Sequence, residues 1–144
     1  MILEGLVALI VQAGSGLQAI TASRVFPGTL PELEGAALGS NGPAIVFYRI
    51  PGSVSDPTLN TSGLQSLRVQ FDCYAVGTAT ASGYSAANAV CEALRQLLNG
   101  FTGALPNGAW LDNADLVEIR DAYRTAARQY VAEIEFRILY CFTQ

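Results

Sequence analysis

The chain has 144 residues, 51% of them hydrophobic, which suits one compact domain with a sizeable core. Only 14% are charged, against about 25% in typical globular proteins, so part of the surface is expected to be buried against other subunits. The net charge of −4 argues against a protein built mainly to grip phosphate backbones, and the absence of histidine removes the usual general base and the commonest metal ligand.

From the N-terminus, Leu3, Leu6, Val7, Ile10 and Val11 fall on one stripe at helical spacing, which predicts a helix from Ile2 to about Ala13 ended by Gly14-Ser15-Gly16. The start, Met-Ile-Leu-Glu, lacks the basic region of a signal peptide, and the apolar run Leu6–Val11 is too short to span a bilayer. A short turn over Leu17–Ala22 and an edge strand Arg24-Val25-Phe26, stopped by Pro27, are expected next. Thr29–Pro43 is rich in Gly, Pro and small residues and reads as a loop. Ala44–Ile50, bounded by Pro43 and Pro51, is apolar, β-branched and aromatic, hence a strand with both faces covered.

Gly52–Gly63 is a polar loop, long for a hairpin turn. Ser66–Val76 alternates: Leu67, Val69, Phe71, Cys73 and Ala75 point one way, and Arg68, Gln70, Asp72 and Tyr74 the other. Tyr84, Ala87, Cys91, Leu94 and Leu98 recur at three and four residues, so a second helix runs to Leu98, with Ser82 or Ser85 as its cap and Asn99-Gly100 as its stop. Ala109–Leu111 is expected to be extended, Asp112-Asn113 to form a bulge or turn, Leu116–Arg120 to be a strand and Asp121–Ala126 a connection. In the last strand, Arg128–Phe142, Tyr130, Ala132, Ile134, Phe136, Ile138, Tyr140 and Phe142 share one face, and Gln129, Glu133, Glu135 and Arg137 the other. The expected fold is α+β in the order α-β-β-β-α-β-β: a mainly antiparallel sheet of four to five strands with both helices on its apolar face.

No Ser-His or Cys-His pair is available, and neither GxGxxG nor GxxxxGK[ST] occurs. Cys73, Cys91 and Cys141 are odd in number and form no CxxC pair; they read as small buried hydrophobes of a reducing compartment. The carboxylates Asp112, Asp115, Glu118 and Asp121 do not have EF-hand spacing and read as a solvated face. Glu133 and Glu135 are expected to pair with Arg68 or Arg137 rather than to act as catalytic carboxylates. Asn60-Thr61-Ser62 matches a glycosylation pattern, without a secretion signal to make it relevant. Arg120, Arg124, Arg128 and Arg137 are interrupted by acidic residues and suit an interface better than a phosphate stripe.

Three stretches in this order cover nearly the whole chain. They are the N-terminal helix with Arg24-Val25-Phe26-Pro27; Pro43-Ala44-Ile45-Val46-Phe47-Tyr48 with Arg68-Val69-Gln70-Phe71-Asp72-Cys73-Tyr74 and the alanine-rich helix Ala86–Leu98; and the closing Tyr130-Val131-Ala132-Glu133-Ile134-Glu135-Phe136-Arg137-Ile138. Together they resemble the tail terminator (tail completion) family of long-tailed, siphovirus-like phages and gene transfer agents. The glycine-rich stretch Gly35–Gly42 is longer than that pattern and departs from it.

The resemblance implies a structural subunit of a hexameric ring on the head-proximal end of the tail tube. Such a ring stops tube polymerisation and joins the neck. Its partners are sister copies, the major tail tube protein and a head–tail connector. DNA passes through its lumen without specific binding, and no membrane is involved. It implies a virion component assembled in the host cytoplasm, with no catalytic, cofactor or metal residue. The candidate contacts are Asp56 and Asn60 in the loop, Asp121 and Arg124 at the late turn, and Arg68, Asp72, Glu133 and Arg137 on the polar strand faces. Other readings are another connector or tube protein of the same particle, a small-ligand binding module, and a hydrolase using acidic residues.

Overall fold

A computed structural model of the chain describes residues 2–12, 16, 21, 24–27, 43–50, 64–76, 83–124 and 129–141. In chain order the elements are α1 (Ile2–Val11), β1 (Val25–Pro27), β2 (Ala44–Arg49), β3 (Leu64–Val76), α2 (Tyr84–Leu98), β4 (Gly103–Ala104), β5 (Trp110–Arg124) and β6 (Gln129–Cys141). The six strands form one sheet in the order β1-β2-β3-β6-β5-β4. β1 runs parallel to β2, and the other neighbours are antiparallel. The fold is α+β as expected, but the sheet is mixed and has six strands rather than four to five. The additional strand is β4, two residues long and without a hydrophobic pattern to announce it.

Alternation sets the layers. Val69, Phe71 and Cys73 of β3 lie beside Phe136, Ile134 and Ala132 of β6, and all six are buried. Ile45 and Phe47 extend this face through β2, and Leu111 and Ala114 through β5. Both helices cover it: Ile2, Leu6, Leu9 and Ile10 of α1 and Ala87, Val90, Cys91, Leu94 and Leu98 of α2 belong to the same core. Phe71 sits at the centre, with ring centroids 6.3 Å from Phe47 and 6.1 Å from Phe136, the latter edge-on at 78°. Each such buried side chain stabilises the fold by about 1.5–3 kcal/mol before entropy is counted.

α2 starts without a side-chain cap. Gly83 is its N-cap at φ 84, a left-handed conformation that glycine adopts at no steric cost, so neither serine serves. Its end follows the expected stop: the Asn99 N–H donates to the Arg95 carbonyl, and Gly100 takes φ 77.

β5 corrects the sequence reading most. The segments expected as Ala109–Leu111, Leu116–Arg120 and a connection from Asp121 are one strand of 15 residues reaching Arg124. Register shifts between Leu111 and Asn113 and between Leu116 and Glu118 bend it, the first where a bulge was expected at Asp112-Asn113. Pairing with β6 along this length overrides the weak strand propensity of its Asp, Asn and Ala residues. The remaining bounds agree closely: α1 stops at Val11 rather than Ala13, and β6 spans Gln129–Cys141. Most of the turn expected over Leu17–Ala22 and the loops Thr29–Pro43 and Gly52–Gly63 lie outside the described residues.

Candidate assembly surface

The face of the sheet away from the helices carries the polar half of each strand. In register across it stand Tyr48 on β2, Arg68, Gln70 and Asp72 on β3, Arg137, Glu135 and Glu133 on β6, and Asp115, Glu118 and Arg120 on β5. These side chains form a connected network. The Arg68 Nε donates to Glu135 Oε2 at 2.6 Å. The Gln70 Nε2 donates to Asp72 Oδ1 at 2.8 Å and to Glu133 Oε2 at 3.3 Å. Arg120 donates to Glu133 Oε2 at 3.2 Å and to Gln70 Oε1 at 3.0 Å, and pairs with Glu118.

The burial on this face is uneven. Glu135 is 3% exposed and Asp72 8%, although alternation places both on the polar face. Glu135 lies in register between Gln70 and Glu118, Asp72 between Val46 and Glu133, and the long arms of Arg68, Gln70 and Arg120 fold over them. A buried carboxylate is tolerated only when hydrogen-bonded, and each has its donor here. Tyr48 feels the surplus of negative charge: burial first, then the carboxylates of Asp72 and Glu133, hold its hydroxyl above the ordinary tyrosine range and so neutral. Beyond the charged rows, Val46, Tyr74 and Val131 form a small separate apolar cluster.

β5 supplies a second feature. β4 pairs with it only at Trp110 and Leu111. The next stretch is closed by single contacts: the Thr102 hydroxyl donates to the Asp112 carbonyl, the Gly100 N–H to the Ala114 carbonyl, and the Leu116 N–H to Asn99 Oδ1. From Val117 to Arg124 no strand lies on the outer side among the described residues. Val117 is 46% and Ile119 44% exposed on this open edge, and Trp110 is exposed at the start of β5. The opposite rim of the sheet is β1, three residues ending in Pro27, which has no N–H to offer.

The structure gathers Arg68, Asp72, Glu133 and Arg137 on one face. Glu135 pairs with Arg68 as expected, whereas Glu133 pairs with Arg120 rather than with Arg68 or Arg137. Arg137 is exposed, with Arg68 in register on one side and Asp115 on the other. Asp121 stands apart on the helix-bearing side, opposite Ala132 and close enough to Cys91 to raise its thiol pKa. Asp56, Asn60 and the side chain of Arg124 lie outside the described residues. Sequence reasoning did not single out Gln70 or Arg120 as network members, nor the edge residues Val117 and Ile119. The signal for Arg120 was its place two residues from Glu118 on one strand face.

The carboxylates Asp112, Asp115, Glu118 and Asp121 do not converge. Asp112 accepts from the Trp110 Nε1 at 3.1 Å, Asp115 and Glu118 face the network, and Asp121 faces the other way. Among the described residues no three His, Cys, Asp or Glu side chains are arranged to hold a metal ion. No helix in the described residues is long and apolar enough to cross a membrane.

The model of a family described as "Tail completion protein gp17" matches residues 6–141. Among solved structures, a chain of the "Virion of native gene transfer agent (GTA) particle" is similar in fold, with a TM-score of 0.62 and 18% identity over 94% of this chain and 92% of that one. No curated protein matches the sequence.

Proposed function

As this chain belongs to the tail completion protein family, we propose that it is the terminator of a tail tube: a ring subunit that sits on the head-proximal end, stops tube growth and presents the surface to which the head is joined. The observation that carries this reading is the family match over nearly the whole chain. The fold likeness to a chain of a gene transfer agent particle supports it.

The physical features suit the role. A closed ring needs a head-to-tail contact between two different surfaces of each copy. The sheet has two unlike rims, β1 and the outer half of β5, and few charges to desolvate on association. The polar face bears Asp72, Asp115, Glu118, Glu133 and Glu135 against Arg68, Arg120 and Arg137, a surplus of negative charge. Such a wall repels DNA rather than trapping it, as a conduit requires. In this reading the ring is hexameric and its partners are the tube protein below and a connector above. DNA passes through without specific contact. The protein works by docking and has no catalytic residue. Arg68, Asp72, Asp121, Arg124, Glu133, Arg137 and the loop residues Asp56 and Asn60 are the candidate contacts.

Deletion of the gene from the producing particle tests the role. The expected result is tubes of uncontrolled length alongside unjoined heads in negative stain. Particles with tails of normal length joined to heads would overturn it.

A further inference from the structure

We propose that the free chain pairs with a second copy of itself, antiparallel, along the open edge of β5 centred on Ile119. This inference stands on the geometry of that edge and does not depend on the tail role.

The open stretch from Val117 to Arg124 leaves the outward backbone N–H and C=O groups of alternate residues without a strand beside them among the described residues. An edge of this kind is a template for another strand. What selects a second copy is the order of side chains. Antiparallel pairing about Ile119 sets Glu118 of each copy opposite Arg120 of the other, and Ile119 opposite Ile119. Glu118 and Arg120 point to the same face of the sheet, since they lie in register with Glu135 and Glu133 of β6. Already paired within one chain, they would form an alternating square of four charges across the two-fold axis. On the other face the two Ile119 side chains, each 44% exposed in the single chain, would cover one another. The Asn99 contact to Leu116 sets the near limit, so Val117–Asp121 is the matching stretch.

A two-fold pair is closed, whereas in the ring of the proposed function this edge would meet an unlike neighbour. The two contacts would exclude each other, so the pair belongs to the free chain, where it covers an otherwise open strand edge.

The charge order gives the test. Light scattering of the purified chain should show mass rising from one copy to two with concentration. Glu118→Arg and Arg120→Glu should each stay monomeric, and mixing the two variants should restore a one-to-one dimer, because every opposed pair is again complementary. Arg120→Glu also loses contacts to Glu133 and Gln70, so circular dichroism must show that it folds. A second measurement is independent of Arg120. In a Cys141→Ser background, Ile119→Cys should cross-link to a disulfide dimer under mild oxidation, since strand-opposed Cα atoms lie within disulfide reach. Adding Glu118→Arg should abolish that cross-link, and Glu92→Cys on the exposed face of α2 should give none. A monomer at all concentrations with no Ile119→Cys cross-link, or a cross-link indifferent to Glu118→Arg, would overturn the proposal.

Discussion

The Arg68 guanidinium lies over the Glu135 carboxylate, its Nε 2.6 Å from Oε2, and so holds a charge that is 97% shielded from water on the face of the sheet away from the helices. Side-chain exposure is 46% for Arg68 against 3% for Glu135, so the two ends of the pair are unequal. Removing one partner of a fully buried pair costs about 3–5 kcal/mol. Water screens this pair from one side, so Arg68→Ala should cost less, about 1–2 kcal/mol. Adding Glu135→Leu should recover most of that loss, since the stranded charge is then gone. Urea unfolding of the single and double variants checks both expectations.

Gly5 in α1 is a place where a usually favourable change should fail. A Cβ there would stand 2.5 Å from Asn107 Oδ1 and 2.8 Å from Leu105 Cδ1. Glycine to alanine in a helix interior ordinarily gains about 1 kcal/mol. Here the methyl must displace buried Leu105 and an Asn107 oxygen that accepts from the Ala109 N–H. Gly5→Ala should therefore be destabilising on balance, by about 1 kcal/mol, in the same unfolding assay.

The thiol of Cys91 couples stability to alkaline pH. Burial, then the charges of Asp121 and Glu92, push its pKa from 9.0 to about 11, and burial likewise holds the Cys73 thiol well above its ordinary value. In the unfolded chain a thiol releases its proton near its ordinary pKa, while the folded chain retains it. The unfolded state then binds fewer protons, so stability present below about pH 9 declines as pH rises towards 11. Cys91→Ala should flatten that decline in a pH series of unfolding midpoints. In the native chain both thiols should also resist alkylation at pH 8, with unfolding required to expose them.

Arg137 and Asp121 separate folding from assembly. Both are exposed, and Arg137 stands between Arg68 and Asp115, so Arg137→Glu exchanges one like-charge neighbour for another. Monomer stability should move by no more than about 0.5 kcal/mol for Arg137→Glu or Asp121→Lys. If these residues meet neighbouring subunits or the tube, particles carrying either variant should show fewer joined tails at equal expression. Joined tails at the normal frequency would remove them from the contact set.

The apolar layer was legible because β3 and β6 alternate without interruption, so one period fixed the core face from Leu67 to Ile138. β5 was not legible as one strand. Its bulges break the period, and its Asp and Asn residues mimic turn chemistry. Burial of Glu135 and Asp72 was also hidden, because alternation reports which side a residue faces but not whether a neighbour's long side chain covers it. The open edge at Val117–Arg124 depends on β4 being only two residues long, a property of the chain's path that no local pattern encodes.

Electron cryo-microscopy of the intact native particle, resolved far enough to trace this chain, decides whether it is a ring subunit at the tail end. The expected map holds six copies in one closed ring at the junction of tail tube and neck, with sheet rims in contact between neighbours. The chain found elsewhere in the particle, or there as a single copy touching no sister, would rule the terminator role out.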